Sequence, residues 1–454
     1  MTNIEETELE TGPPPVQEEI KASRRPGWSK FAIDVRPLRH PAYRRMFIGS
    51  ATSYFGTQFT AIAVPVQVYA ITGQSRWVGY VSVAGLIPLL VFALWGGALA
   101  DVLDRRRLLI FSSILSWLMT LAMLLQAALD VHSPWPLLVL VAVQSGAVAV
   151  TMPTRSAIVP RIVPLSEIAQ ANTLNYTIGQ VATVAGPVAA GFMVARFNIS
   201  LAYAVDALTF TVALWAAFNL PALPPADGSD RRNRGGWSDV MFGLKYIGRT
   251  PVLLLSFGVD IVAMVLAQPR ALFPAAAADT FGKGSISWLY SAVAIGSVVA
   301  GITSGWVARV RRQGLALIGA VIAWGAAVAF SGLAHGLTVT VILLAVAGAA
   351  DLVSAVYRQT MLLTYTTDEL RGRMQGVFTA VVAGGPRLGD LRAGLTAAAF
   401  GTTTAWVGGG IACVIVAAIL GFAFPALARY TVSAAVTGAQ DDVDDEPAAS
   451  TTAA

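Results

Sequence analysis

The chain has 454 residues, of which 55% are hydrophobic and only 13% are charged. A water-soluble domain carries about 25% charged residues, because its surface must face water. This composition excludes a soluble enzyme, a nucleic-acid-binding domain and a disordered regulator, and it predicts a protein that crosses a membrane several times. The surplus of basic residues, 31 Lys and Arg against 26 Asp and Glu, falls between long apolar stretches, where it indicates membrane orientation rather than a nucleic-acid partner.

Apolar stretches long enough to cross a bilayer follow a polar tail of mixed charge at 1–45, which is predicted to lie in the cytoplasm. A helix needs about 20 apolar residues to span the hydrocarbon core. Six such stretches are predicted within 46–220, at 47–71, 78–100, 108–129, 136–154, 173–195 and 200–220. The segment 221–250, rich in proline and then in charge, is predicted to form a central cytoplasmic loop.

Six further spans are predicted within 251–428, at 251–274, 286–308, 314–334, 338–357, 375–400 and 404–427. The residues that follow, 429–454, contain the acidic run Asp441–Asp445 among Ala, Ser, Thr and Pro, so a disordered cytoplasmic tail is predicted there rather than a metal site. The predicted fold is therefore an all-α membrane protein whose twelve transmembrane helices form two pseudo-symmetric six-helix bundles.

The Lys and Arg residues indicate how the chain is oriented in the membrane. Of the 31, 25 fall in the N-terminal tail, in alternate connections between spans and after the last span, whereas the opposite connections contain only three. Because basic residues accumulate on the cytoplasmic side, this bias places both termini in the cytoplasm. The predicted location is the cytoplasmic (inner) membrane.

The two predicted halves repeat each other weakly. The segment GPVAAG, which starts at Gly186, matches GDLRAG, which starts at Gly389, at an offset of 203, and Arg155 matches Arg358 at the same offset. Parallel repeats of six spans place a substrate site between the halves, near the middle of the membrane.

The clearest local motif lies in the short loop after the second span and consists of Gly97, Asp101, Arg105 and Arg106. The glycine allows helices to approach closely, and the aspartate can pair with arginines or cap the positive N-terminus of a neighbouring helix. Making and breaking such contacts would bias an inward-open against an outward-open state, so we predict a cytoplasmic gating motif. The alternative is a positively charged membrane anchor whose acids have no further role.

The segment from Gly97 to Asp101, followed by Arg105 and Arg106, resembles the loop signature of the major facilitator superfamily (MFS). Five further segments are similar to the bacterial MFS branch of the enterobactin (siderophore) exporters and related drug and macrolide efflux proteins. They are LRHPAYR at 38–44, AVPVQVY at 63–69, LFPA at 272–275, LYSAVAIG at 289–296 and TDELRGR at 367–373. The resemblance implies export driven by an ion gradient, usually of protons.

Gly186, Pro187 and Gly191 in the fifth span resemble the glycine–proline motif associated with exporters of this superfamily. Proline removes a backbone hydrogen bond and glycine permits a bend, so a helix that flexes is predicted. The alternative is a tightly packed helix with a slight kink.

Ionisable residues inside the predicted spans are functional candidates, because the bilayer penalises each charge that is neither paired nor hydrated. Asp260 lies about 14 Å from the cytoplasmic end of the seventh span and is the first candidate for a proton carrier, although a hydrogen bond between helices is an equal alternative. Further candidates for proton or substrate coupling are Asp206, Asp351, Asp390, Arg387 and Arg392. Arg387 and Asp390 lie one helical turn apart and can neutralise each other, whereas Arg392 can meet an anionic substrate or another acid.

Amide side chains within the spans are candidates for the polar wall of a cavity. They are Gln58, Gln67, Gln144, Asn175 and Gln268. Each of them could instead form a hydrogen bond between helices, which is the commoner role of such residues.

Signatures of catalysis are missing from the sequence. It contains no GxxxxGK(S/T) loop of an ATP motor, no GxSxG elbow and no HExxH zinc motif. Cys413 is the single cysteine, which excludes disulfides and cysteine-based zinc sites. No catalytic residue, metal or cofactor is therefore predicted; the predicted partners are a small-molecule substrate, protons and the lipid bilayer.

The predicted function is a secondary-active exporter that moves a siderophore-like or other small organic molecule out of the cytoplasm by alternating access, in exchange for protons. Within transporters, the alternative is a broad multidrug or macrolide efflux pump. Outside that class, the alternatives are a membrane-embedded enzyme acting on a lipid-linked substrate and a scaffold or receptor that transports nothing.

Overall fold

The structure is a computed structural model that describes residues 34–224, 241, 245–366 and 371–431. For 93–102, 308, 371–373, 375–377, 379–380 and 426 it describes the backbone alone. Most of the two predicted tails and of the predicted central loop lies outside these ranges. Within them the chain is helical and contains no strand.

Six long helices make up the first half of the chain. They are α1 Pro41–Thr72, α2 Ser75–Val102, α3 Arg105–Ala128, α4 Trp135–Ile162, α5 Ile168–Arg196 and α6 Ile199–Phe218. Their ends follow local signals. The Asp104 carboxylate caps α3 by accepting a hydrogen bond from the Arg107 backbone amide at 3.1 Å. α1 ends at Gly73, whose positive φ of 64° costs little without a Cβ atom.

The second half begins with a helix and a series of short helical turns. Its long helices are α7 Pro251–Ala267, α8 Ile286–Ile302, α9 Gln313–Leu333, α10 Leu337–Thr364, α11 Arg371–Phe400 and α12 Thr402–Ala423. Between α7 and α8 the chain forms the turns Arg270–Leu272, Phe273–Ala276, Ala277–Phe281 and Lys283–Ser285.

Ten helical segments in the described ranges are long and apolar enough to cross a membrane. α1 and α11 are not among them: α11 contains Arg387, Asp390 and Arg392, and α1 is rich in Ser, Thr and Gln. Large apolar side chains on the outside of the molecule, such as Ile302 and Phe422, are more than 80% exposed. Such exposure is expected where lipid replaces water as the solvent, so the chain is a multi-pass membrane protein.

Two helices extend beyond their predicted ends. α4 continues to Ile162, eight residues past the predicted boundary, and α10 continues to Thr364, seven residues past it. The prediction ended each span where apolar residues give way to charged ones, but a helix satisfies its backbone whatever the side chains are. Arg155 and Arg358 therefore lie inside helices rather than in loops.

Helix packing follows the same order in both halves. In the first half α1 packs on α5 and α6, α2 packs on α4, and α3 packs on α4 and α6. In the second half α7 packs on α11 and α12, α8 packs on α10, and α9 packs on α10 and α12. Between the halves, α2 packs on α11 and α5 packs on α8.

Candidate functional site

A cavity of about 540 Å³ lies where the two halves meet. Most of its wall comes from α1, α2 and α4, and the remainder comes from α3, α5, α6, α8, α11 and the turn after α7. Half of its 30 lining residues are apolar, and the other half have hydroxyl, amide or charged groups. Concave sites of this size and composition bind small molecules.

Four ionisable side chains with opposite signs line the cavity: Arg155, Arg270, Arg387 and Asp390. The Arg155 guanidinium lies 5.7 Å from the centroid of the Tyr54 ring, within the range of a cation–π contact. Asp390 is close enough to Arg270 and Arg387 to interact with them electrostatically. The cavity wall therefore contains three basic groups and one acidic group.

Arg387 and Asp390 of α11 both reach across to α2. The Ser82 hydroxyl donates a hydrogen bond to Asp390 Oδ2 at 2.9 Å. A Cβ atom added to Gly85 would lie 2.7 Å from Arg387 Nη1. Because the two side chains turn towards α2, the ion pair predicted within α11 does not form within 4.0 Å in the described structure.

Asp206 is fully buried behind the cavity wall and is surrounded by hydroxyl groups. Thr60 donates to Asp206 Oδ2 at 2.5 Å. The Thr209 hydroxyl donates to the Asp206 backbone carbonyl at 2.8 Å and lies 3.4 Å from Oδ1. The Thr120 hydroxyl donates to the Ser116 carbonyl at 3.1 Å, lies 3.5 Å from Asp206 Oδ2 and accepts a hydrogen bond from Gln144 Nε2 at 2.9 Å. Since Thr60 and Gln144 line the cavity, Asp206 lies one hydroxyl group away from it.

Asp260, the first candidate from the sequence, forms an ion pair with Arg358 between α7 and α10. Both side chains are about 95% buried, and Arg358 Nη2 also lies 3.8 Å from Asp351 Oδ1. None of the three residues lines the cavity. The proton-carrier role of Asp260 stays a prediction, and the residue now has a structural role beside it.

Arg392 contacts backbone rather than an acid or the cavity. Its Nε donates to the Val265 carbonyl at 3.1 Å, and an Nη group donates to the Leu266 carbonyl. The other Nη group donates to the Ala405 carbonyl at 3.1 Å. Val265 and Leu266 lie in the last turn of α7, where carbonyls lack helical partners and a cation is favourable. Arg392 therefore joins α7, α11 and α12.

The five predicted cavity amides divide into two groups. Gln58 and Gln144 line the cavity, whereas Gln67, Asn175 and Gln268 do not. Gln67 instead accepts a hydrogen bond from the Tyr203 hydroxyl at 2.7 Å, which is the packing role named as its alternative.

The glycine–proline segment of α5 lies within one continuous helix, and Pro187 lines the cavity. A Cβ atom added to Gly186 would overlap the Gln58 side chain of α1, and one added to Gly191 would overlap the Ser287 backbone of α8. Both glycines permit close helix contacts. Flexing of α5 stays a prediction.

The arginines of the predicted gating motif bind the ends of helices in their own half. Arg105 Nη1 donates to the Ala157 carbonyl of α4 at 3.2 Å, and Arg106 Nη2 donates to the Phe218 carbonyl of α6 at 2.7 Å. Gly97 and Asp101 lie in the last turns of α2, where the structure describes backbone alone. The gating role of the motif stays a prediction.

Sequence reasoning did not assign Arg155 and Arg270 to the cavity, nor Arg358 to Asp260. One signal was present for two of them: Arg155 and Arg358 occupy the same position in the sequence repeat. Arg270 falls within a predicted span, near its outer end, and a charge inside a predicted span is a sign of function.

Comparison with known proteins agrees with this geometry. A family profile described as transmembrane secretion effector matches residues 32–441. The enterobactin exporter EntS of Shigella boydii is 25% identical over 354 residues, which are 77% of this chain and 84% of the exporter. EntS of Escherichia coli O81 shows the same identity and coverage.

Solved transporter structures share the fold. The nucleoside transporter NupG superposes with a TM-score of 0.67 at 14% identity and covers 86% of this chain and 100% of its own. A bacterial homologue of the human lysosomal transporter Spinster superposes with a TM-score of 0.63 at 16% identity and covers 90% of this chain and 99% of its own. At such identities the likeness shows the fold alone. The family profile extends over nearly all of the described residues, and the chain therefore belongs to the transmembrane secretion effector family of the MFS, a family of transporters rather than enzymes.

Proposed function

We propose that the chain is a secondary-active exporter that carries a small organic molecule out of the cytoplasm by alternating access, in exchange for protons. The observation that carries the proposal is the cavity, because residues of both halves line it. A site at the junction of two halves can be reached from either face when the halves rock against each other.

The proposed architecture is twelve transmembrane helices in two pseudo-symmetric six-helix bundles. Every packing pair named above within the first half has a counterpart six helices later in the second half. The two contacts between the halves also correspond, since α2 on α11 and α8 on α5 are related by the same shift.

Close glycine contacts follow the same repeat. A Cβ atom added to Gly191 of α5 would overlap the start of α8 at Ser287, and one added to Gly394 of α11 would overlap the start of α2 at Ser75. Gly191 and Gly394 are 203 positions apart, which is the offset found in the sequence. This agreement supports two equivalent bundles.

The proposed orientation places both termini in the cytoplasm of a cell whose cytoplasmic membrane holds the protein. In that orientation the contacts of Gly191 and Gly394 lie near the outer ends of the helices. The Tyr69 hydroxyl, near the outer end of α1, also donates to Asp279 Oδ2 at 3.1 Å. The two halves are thus joined at their outer ends, and export requires these contacts to open.

Proton coupling is proposed to use a buried carboxyl group. Asp260 satisfies the requirement for depth, but its protonation would leave Arg358 without its closest partner. Asp206 can exist in either protonation state among hydroxyl groups, which both donate and accept hydrogen bonds. It is also joined to the cavity through Thr60, so Asp206 becomes the stronger candidate.

The likeness to EntS supports a siderophore-like cargo, and the proposal can be tested with enterobactin. Everted membrane vesicles from cells that express the chain would receive an acid-inside pH gradient without ATP, with vesicles lacking the chain as the control. We expect enterobactin to accumulate in the lumen and to be released when a protonophore collapses the gradient. Equal uptake with and without the gradient would contradict proton coupling.

The same vesicles separate the alternative within transporters. Gradient-driven uptake of erythromycin without uptake of enterobactin would assign the chain to drug efflux. Absence of uptake for either compound, with the protein present at normal levels, would count against the exporter proposal.

A further inference from the structure

We propose that the cavity selects an amphipathic organic anion, a molecule with an apolar body and at least one negatively charged oxygen-acid group. This inference rests on the proposed function in one respect, since it takes the cavity to be the substrate site. It assigns the chemical class of the substrate, which neither the fold nor the family fixes.

The cavity wall has a surplus of positive charge. Among the described lining residues, three are arginines (Arg155, Arg270 and Arg387) and one is an acid (Asp390). Even if Asp390 neutralises one arginine, two positive charges remain. Such charges are expensive in a membrane interior unless a partner compensates them.

Two arginines elsewhere in the interior have partners that compensate their positive charge. Arg358 is paired with Asp260, and Arg392 donates to three backbone carbonyls. By contrast, no carboxylate of a described residue lies within 4.0 Å of the guanidinium groups of the three cavity arginines. Arg155 has the Tyr54 ring as its neighbour and Arg270 is exposed, so the guanidinium groups of the cavity are open to a ligand instead of being neutralised by a carboxylate.

The positions of the three arginines suit a ligand that holds the halves together. Arg155 belongs to α4 in the first half, whereas Arg270 follows α7 and Arg387 belongs to α11 in the second. A guanidinium group binds carboxylate, sulfonate or phosphate oxygens through two parallel hydrogen bonds. The Arg387 guanidinium lies against Gly85 of α2 in the first half, so an anion bound to Arg387 would contact both halves, as a transported substrate must.

The remaining wall favours an apolar or aromatic body. Tyr54, Tyr290 and Phe210 line the cavity together with aliphatic side chains such as Ile62. Tyr54 is already stacked near Arg155, so an aromatic ring of the ligand can enter the same type of contact. The cavity wall thus offers arginines to a negatively charged group and aromatic or aliphatic side chains to an apolar body, which is the combination that fits an amphipathic anion.

Three naphthalene probes of similar size and different charge test the inference. Equilibrium dialysis of the full-length chain in neutral detergent would compare 1-naphthoate, 1-naphthalenesulfonate and 1-naphthylmethylammonium. We expect at least about tenfold tighter binding of an anion than of the cation, since a hydrogen bond to a charged group contributes about that factor. Preference for naphthoate indicates a carboxylate substrate, and preference for the sulfonate indicates a tetrahedral acid group.

Two variants of opposite charge separate an electrostatic effect from misfolding. Arg387→Gln should weaken anion binding by about tenfold or more, whereas Asp390→Asn should strengthen it, because each changes the cavity charge by one unit in the opposite direction. A folding defect would weaken binding in both. Arg196→Gln removes an exposed arginine outside the cavity and should leave anion binding unchanged.

The inference is overturned if the cation binds as tightly as the anions, or if Arg387→Gln and Asp390→Asn shift anion binding in the same direction. Its failure is distinct from failure of the exporter proposal. Gradient-driven uptake of the cation alone would sink the anion assignment and leave the exporter intact. Anion binding with the expected charge dependence, without any uptake into vesicles, would do the reverse.

Discussion

Asp206 in α6 and Asp260 in α7 are both buried acids, but their surroundings differ in charge. Asp206 is held by threonine hydroxyl groups and has no ion-pair partner among the described residues. Asp260 is paired with Arg358, which is equally buried. One acid is thus stabilised by dipoles that can reorient, and the other by a fixed charge.

The difference teaches which acid can change protonation state at low cost. A hydroxyl group donates to a carboxylate or accepts from a carboxyl, so the threonines satisfy Asp206 either way. Neutral Asp260 would leave the buried Arg358 guanidinium with only the longer contact to the partly exposed Asp351, which is unfavourable. Depth in the membrane, the criterion available from sequence, does not distinguish the two.

Loss of the Asp260 charge should have the largest effect on stability. Asp260→Asn strands Arg358 and should lower the free energy of unfolding by about 3–5 kcal/mol, measured by SDS titration of the detergent-solubilised protein. The double variant Asp260→Asn with Arg358→Met removes both charges and should recover most of the loss. Equal destabilisation of the single and double variants would show that the ion pair is not the cause.

The space around Asp206 can be probed through a glycine of α1. A Cβ atom added to Gly56 would lie 2.6 Å from Asp206 Oδ1 and would overlap Thr209 Oγ1. Gly56→Ala should therefore cost about 1–3 kcal/mol in the same unfolding measurement. The matched control is Gly258→Ala, two residues before Asp260, where nothing lies within 4 Å of the added atom and stability should not fall.

Replacement of Asp206 itself should affect transport more than stability. In Asp206→Asn the amide oxygen can still accept from Thr60, so we expect a loss of about 1 kcal/mol or less. Uptake into everted vesicles should nevertheless lose its dependence on the pH gradient, because the carboxyl group that exchanges protons is gone. Thr209→Val keeps both the carboxyl group and the Thr60 hydroxyl that joins it to the cavity, so it should retain the dependence. Unchanged gradient-driven uptake by Asp206→Asn would return the coupling role to Asp260.

These surroundings explain how far sequence reasoning reaches. Composition and hydropathy predicted a multi-pass helical membrane protein, the motifs predicted the MFS family, and both are confirmed. The partner of Asp260 was not predicted, because Arg358 was used to mark the end of a span. Hydropathy treats a charge as a boundary, whereas α10 continues to Thr364 and carries that charge inside.

The cavity shows the same limit. Gln58 and Gln67 lie nine residues apart on α1, so helical periodicity places them on opposite faces of the helix. Only Gln58 lines the cavity, whereas Gln67 binds Tyr203, a residue 136 positions away. The sequence separates the two faces but does not say which of them meets the cavity.

The smallest expected effect concerns Asp351, the second acid near Arg358. Its Oδ1 lies 3.8 Å from Arg358 Nη2, and its side chain is 32% exposed, against 4% for Asp260. A longer and partly hydrated ion pair contributes little, so Asp351→Asn should cost about 0.2–1 kcal/mol in the unfolding measurement, well below Asp260→Asn. A loss as large as that of Asp260→Asn would mean that Arg358 depends on both acids equally. Arg358, Asp260 and Asp351 would then form a triad of charges. Protonation of Asp260 would leave Arg358 paired with Asp351, and Asp260 would differ less from Asp206 as a possible proton carrier.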